Sequence, residues 1–127
     1  QKTLQQIVDS SGHLKLRDIE ENEIIKINIE NTVISTGGSV AYSEKAMTHL
    51  NSISKIVFLD TNLEELKRRI TNFETRGIAK DHNQTLMDLF EERQILYKKY
   101  AEVTIDCNKL NQEALAEQIA NWYKNLN

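Results

Sequence analysis

An apolar run that stops at two glycines, Thr32-Val33-Ile34-Ser35-Thr36-Gly37-Gly38-Ser39-Val40, is where this sequence is best suited to hold a small polar ligand. Gly37 and Gly38 carry no Cβ and tolerate positive φ, so a ligand can lie directly against peptide N–H groups there. A plain strand-to-helix turn would use the same two glycines. A second chemical signal is Arg93. Leu86, Leu89, Phe90, Leu96, Tyr97 and Tyr100 recur at helical spacing, and Arg93 falls within that apolar stripe. A guanidinium on a buried face needs anionic company. The periodicity leaves two partners open, an internal carboxylate or the carboxylate or phosphate of a ligand held bidentately. Arg17 and Glu20, three residues apart on an earlier helical pattern, are expected to pair on a solvated face.

The elements that position these residues read as alternating helices and strands. Residues 3–8 predict a short amphipathic helix ended by Ser10-Ser11-Gly12, and residues 13–29 a longer one with Leu16, Ile19, Ile24 and Ile27 on its apolar face. Val33 and Ile34, β-branched and without polar alternation, predict a strand buried on both faces of a parallel sheet. Ser43 is placed to cap a helix with Ala46, Met47 and Leu50 inward, Met47 as core filler. Lys55-Ile56-Val57-Phe58-Leu59-Asp60 is a second strand, and Thr61 with Glu64 or Asn62 with Glu65 fits a capping box for the helix after it. Residues 71–84 lose periodicity, as a mobile lid or a plain solvent loop would. After the 85–100 helix come a third strand, Val103-Thr104-Ile105-Asp106, the turn Cys107-Asn108-Lys109 and a helix capped near Asn111 that is expected to bury Leu115, Ile119, Trp122 and Leu126. Strand and helix in alternation indicate parallel crossovers and an α/β class.

Composition narrows the functions available. In 127 residues with 39% hydrophobic content there is room for one modest core, hence one domain over 1–127. The formal charge of −3 leaves no electrostatic footprint for nucleic acid. With no apolar run of spanning length, a soluble cytoplasmic protein without a membrane partner is expected. The single cysteine, Cys107, has no partner for a disulfide, and His13, His49 and His82 are scattered, so no zinc site is expected.

In order along the chain, these segments resemble the shikimate kinase family of P-loop small-molecule kinases. Leu16-Arg17-Asp18-Ile19-Glu20 is similar to the family's Phe-Arg-x-x-Glu segment, and Val33-Ile34-Ser35-Thr36-Gly37-Gly38 to its strand entering a glycine triplet. Lys55 through Asp60 with Leu63-Glu64-Glu65-Leu66-Lys67-Arg68-Arg69 resembles its fourth strand and following helix. Glu92-Arg93-Gln94-Ile95-Leu96-Tyr97 fits a Glu-Arg-x-x-Leu-Tyr pattern, and Val103-Thr104-Ile105-Asp106 is similar to the last strand before the adenine loop.

The resemblance implies a three-layer P-loop kinase-like fold, a parallel sheet flanked by helices, and ATP-dependent phosphorylation of a hydroxyl on a small carboxylated acceptor, shikimate foremost, with ATP and Mg²⁺ as cofactors and a monomer expected. It also implies roles. Arg17 and Arg93 grip the acceptor's carboxylate beside the N–H groups of Gly37 and Gly38; Arg76, in a lid at 71–84, reaches the transferring phosphate; Arg69, Arg76, Asn108 and Lys109 contact ATP. Three departures stand against it. Ser39 replaces the third glycine and adds a hydroxyl where the acceptor would lie. The lid reads Arg76-Gly77-Ile78-Ala79 in place of Arg-Pro-Leu-Leu. Nowhere does the chain contain Gly-x-x-x-x-Gly-Lys-Ser/Thr, nor any expected metal ligand. With only three strands foreseen, the reading is a domain whose N-terminal strands and phosphate loop lie outside this sequence, inactive as a piece. A kinase with another acceptor, or a binding module that has lost nucleotide chemistry, are the alternatives.

Overall fold

The structure, a computed structural model, describes residues 1–71, 73, 78, 80–81 and 83–126. Helix α1, Leu4–Ile24, begins at a capping box in which Thr3 and Gln6 exchange side-chain and backbone hydrogen bonds. Gly12, at φ 82° and ψ 164°, breaks the helix into the two predicted segments. An L side chain would be strained there, so the break is written into that one residue. The second segment stops at Ile24, well short of residue 29.

An irregular stretch then leads to a 3₁₀ turn, Val40–Tyr42, and to α2, Glu44–Ile53, whose N-terminal amide of Ala46 is capped by the Ser43 hydroxyl as expected. Strand β1, Val57–Asp60, is followed by α3, Leu63–Arg69. Of the two capping boxes foreseen, Asn62 provides the cap, accepting from the amide of Glu65. Helix α4, Leu86–Tyr100, starts at a capping box of Thr85 and Asp88; β2, Val103–Asp106, and α5, Gln112–Lys124, capped by Asn111, complete the order.

β1 and β2 pair in parallel, Val57 opposite Val103 and Asp60 opposite Asp106. Helices precede and follow each strand, which gives a mixed α/β architecture with a parallel sheet flanked by helices. The expected strand at Val33-Ile34 does not form. Among the described residues no strand pairs with it, and Val33 is 94% exposed. β-branched residues favour extended backbone, but a strand is held by its ladder, and here the extended stretch meets none. Ile34 still packs on the core. Between this stretch and β1 lies a cleft of about 280 Å³, walled by Ile34 and Thr36 on one side and Ile56, Val57 and Phe58 on the other.

The main core gathers Ile24, Val40, Ala41, Ala46, Met47 and Leu50, with Ile27, Leu96, Tyr97 and Tyr100 against its rim. It welds the end of α1, the 3₁₀ turn, α2 and the C-terminal half of α4. The foreseen inward positions of α2 are therefore correct, and Ala46 is fully buried. For α5 the expectation of burial fails: none of its residues is buried, and Leu126 beyond it is 44% exposed. Helical spacing tells which face turns inward, not how much protein covers it. Leu50→Ala is expected to cost about 2–5 kcal/mol of unfolding free energy, and Leu115→Ala, half-buried on α5, under about 1.5 kcal/mol; urea denaturation of the full gene product measures both.

Candidate anion site

Arg17 and Arg93 reach the same place from opposite ends of the chain. Arg17 lies five residues beyond the Gly12 break, on the segment of α1 that buries Leu16 and Ile24. Arg93 sits one turn after Leu89, the buried residue of α4. Packing those apolar neighbours inward carries both guanidiniums to the 3₁₀ turn, where Tyr42 receives them. The carbon of the Arg17 guanidinium is 3.6 Å from the centre of the Tyr42 ring and that of Arg93 is 5.6 Å from it. Both are cation–π contacts, and the Nε atom of each arginine is buried. The solvated face expected for Arg17 and Glu20 is thus corrected: both are half-buried and turned to the site.

Gly37 and Gly38 border the same point, but not for the reason of positive φ: among the described glycines, Gly12 alone has that conformation. Close approach is what requires them. A Cβ on Gly37 would collide with Oε1 of Glu20, and one on Gly38 would stand 2.6 Å from Nη1 of Arg93 and 2.8 Å from the hydroxyl of Tyr97. Tyr97, one turn after Arg93, donates its hydroxyl to the carbonyl of Gly38 at 2.7 Å, tying α4 to the glycine stretch. Ser39 is only 8% exposed; its hydroxyl donates to Oε2 of Glu20, and the residue lines the same cavity as Arg17 and Tyr42.

Two carboxylates set the electrostatics. Glu20 takes Ser39, and Glu92 accepts from the hydroxyl of Tyr42 and, at 3.1 Å, from Nε2 of Gln84. Burial first, then the hydrogen bond to Glu92, holds the Tyr42 phenol above its ordinary 10, against the pull of Arg93. Burial likewise raises Tyr97, with Arg93 opposing. Both phenols therefore stay neutral donors beside the guanidiniums. Such a cluster, two cations over one ring next to exposed glycine backbone, can clamp a small planar anion.

A second constellation forms at the ends of the strands. Nη2 of Arg69 donates to the carbonyl of Cys107 at 3.2 Å, and the side-chain oxygen of Asn108 accepts from the amide of Asn62 at 2.8 Å. Asp106 fixes the turn by accepting from both nitrogens of Asn108, at 2.9 Å from the amide and 2.7 Å from Nδ2. Arg69 and Asn108, distant in sequence, are so brought to one loop cluster, with the exposed Lys109 beside them. Arg69 is steadied by Glu65, whose Oε1 it reaches at 2.7 Å. Cys107 is buried, which raises its thiol above the usual value and leaves it inert. Arg76 lies outside the described residues, as does most of the foreseen lid. Among the described residues no three His, Cys, Asp or Glu side chains gather where they would hold a metal ion, and no helix is long and apolar enough to cross a membrane.

Tyr42, Glu92 and the hydroxyl of Tyr97 escaped the sequence reading. Tyr97 carried a usable signal, its spacing of four from Arg93 on one helix face; Tyr42 carried only its place directly after the glycine turn.

A parallel two-stranded sheet flanked by helices is consistent with a P-loop kinase-like fold. The sequence model of shikimate kinase matches residues 1–124. The chain is 28% identical to the shikimate kinase of Sulfurihydrogenibium sp. (strain YO3AOP1) over 91% of its own length and 70% of the relative's. It is 32% identical to that of Lactococcus lactis subsp. cremoris over 85% and 67%, and 31% identical to that of Aquifex aeolicus over 91% and 68%. No solved structure gives a significant match. The chain belongs to the shikimate kinase family, a family of kinases and hence transferases.

Two outcomes are expected. Gly38→Ala forces Arg93 and Tyr97 to shift, and the full gene product should lose affinity for anionic ligands about tenfold or more, read by isothermal titration. Hydrogen bonds from Arg68 and then Arg69 hold the Glu65 carboxyl at about 2, below its ordinary 4.5. Its contribution to stability is present above pH 4.5 and lost as pH falls through about 2, so melting temperatures of wild type and Glu65→Gln should converge on acidification over that range.

Proposed function

We propose that this chain carries the acceptor grip and the adenine side of an ATP-dependent kinase that phosphorylates a hydroxyl of shikimate. The observation that supports it most is the convergence of Arg17 and Arg93 on the Tyr42 ring beside Gly37 and Gly38. Arginine's planar fork matches a carboxylate in two parallel hydrogen bonds, and two forks at one place fix the ring of a carboxylated acceptor in a single orientation. The names of the relatives, all shikimate kinases, supply the acceptor.

ATP supplies the phosphoryl group: the bond between its β–γ bridging oxygen and the γ-phosphorus breaks, a bond from the acceptor oxygen to that phosphorus forms, and ADP and the hydroxyl proton leave. What this chain's residues contribute is positioning, since a reacting pair held at attack distance gains what a bimolecular encounter lacks. Arg17 and Arg93 orient the acceptor, and the N–H groups of Gly37 and Gly38 lie against it. Arg69, Asn108 and Lys109 hold the adenine, the first two already clasped to one loop. Arg76 completes the set from the 71–84 lid by meeting charge on the transferring phosphoryl oxygens. The Mg²⁺ that such a kinase uses would be held by the ATP phosphates and water with one or two protein ligands, and would offset phosphate charge. The chain works in the cytoplasm, as one domain and as a monomer.

Shikimate-dependent ADP release is expected from the full gene product. Arg93→Ala should lower kcat/KM for shikimate about 100-fold, chiefly through KM, with the KM for ATP little changed. A rate near wild type for Arg93→Ala, or no shikimate dependence at all, overturns the reading.

A further inference from the structure

Gln84 uses both ends of its side-chain amide. It directly precedes Thr85, the cap of α4, and is half-buried. Its Oε1 accepts from the amide of Asp81 at 3.3 Å, and its Nε2 donates to Oε2 of Glu92, on α4, at 3.1 Å. The backbone amide of Gln84 donates back to the carbonyl of Asp81 at 3.0 Å, so the two residues grip each other twice. Asp81 also reaches across to α1, where its Oδ1 lies 3.1 Å from Nε2 of His13. His13 directly follows the Gly12 break and stands one turn before Arg17. Glu92 directly precedes Arg93, and its other oxygen accepts from the hydroxyl of Tyr42.

We infer that Asp81 and Gln84 form a strap between α1 and α4, and that Gln84 is a positioning residue which sets the spacing of these two helices across the acceptor site. The inference rests on the function proposed above and deepens it. α1 and α4 both pack on the 3₁₀ turn, and the core clasps α1 at Ile24 and α4 at Leu96, Tyr97 and Tyr100. The strap meets them towards their other ends, at His13 on α1 and just ahead of Thr85 on α4. Two attachments along a helix fix its tilt, where one leaves it free to pivot. Because the strap acts through helix spacing, it leaves Arg93 bonded to the hydroxyls of Tyr42 and Tyr97. The residue type is what the place requires. A backbone N–H on one side and a carboxylate on the other call for an acceptor and a donor on one flat group, which an amide provides and a carboxylate or an ammonium does not.

The test uses the full gene product with shikimate as the probe. Gln84→Leu keeps the bulk and removes both hydrogen bonds, so the KM for shikimate should rise about fivefold while the KM for ATP holds. Asp81→Leu alone should raise the same KM about threefold. A strap slack at one link is slack throughout, so adding Asp81→Leu to Gln84→Leu should raise it less than about twofold further. Gln84→Glu sets two carboxylates against each other; it should raise the KM about tenfold and lower the melting temperature by about 2–4 °C. Adding Glu92→Gln exchanges donor and acceptor and restores every bond, so both values should return towards wild type. A role confined to stability would move the melting temperature and leave the shikimate KM in place. The inference is overturned by a shikimate KM within about twofold of wild type in Gln84→Leu, by a multiplicative rise in the double leucine variant, or by a swap no better than Gln84→Glu. If Gln84→Leu does not fold, the swap series decides. If the wild type shows no shikimate-dependent turnover, the proposed function falls, and the melting temperatures of the swap series decide whether the strap exists.

Discussion

Bringing two guanidiniums to one spot is the constraint on which the rest of this structure depends. Like charges in a half-buried setting repel strongly unless something offsets them, and here the offset is assembled from several elements at once. α1 brings Arg17 and Glu20, the 3₁₀ turn brings Ser39 and Tyr42, and α4 brings Glu92, Arg93 and Tyr97. The apolar core formed by Ile24, Val40, Ala41, Ala46, Met47 and Leu50 lies directly beneath and fixes the distances among those three elements. Stability and site geometry are in this sense one problem: the contacts that bury the core are those that aim the charges.

The glycines show how tight this assembly is. Gly37 and Gly38 are set apart by the atoms against their α-carbons, Glu20 on one and Arg93 with Tyr97 on the other. Their exposed backbone thus belongs to the wall of the clamp, and the Tyr97 hydroxyl on the Gly38 carbonyl stops that wall from drifting. Ser39 continues the same logic, since its hydroxyl steadies the very carboxylate that fills the space beside Gly37.

Much of this was readable from residue types. Ser43, Asn62 and Asn111 announced helix starts because a side-chain oxygen three residues before an amide has a local job that needs no tertiary context. Gly12 announced the break in α1, and the anomaly of Arg93 in an apolar stripe pointed to a buried cation. What was illegible depended on partners distant in sequence. Val33 and Ile34 look like a strand from composition alone, but their state is decided by whether a ladder lies alongside. The need for glycine at 37 and 38 arises from side chains arriving from α1 and α4, not from local dihedrals. Tyr42 gave no periodic signal because it belongs to a three-residue turn, and the shallow burial of α5 reflects how little is stacked over it.

The cleft between the Ile34–Thr36 stretch and β1 carries one more implication. β1 is hydrogen-bonded to β2 on one side, and on the other its backbone faces a slot with apolar walls. Among the described residues no strand pairs with that edge, and an open edge beside apolar side chains is a template for an extended segment of suitable hydrophobicity.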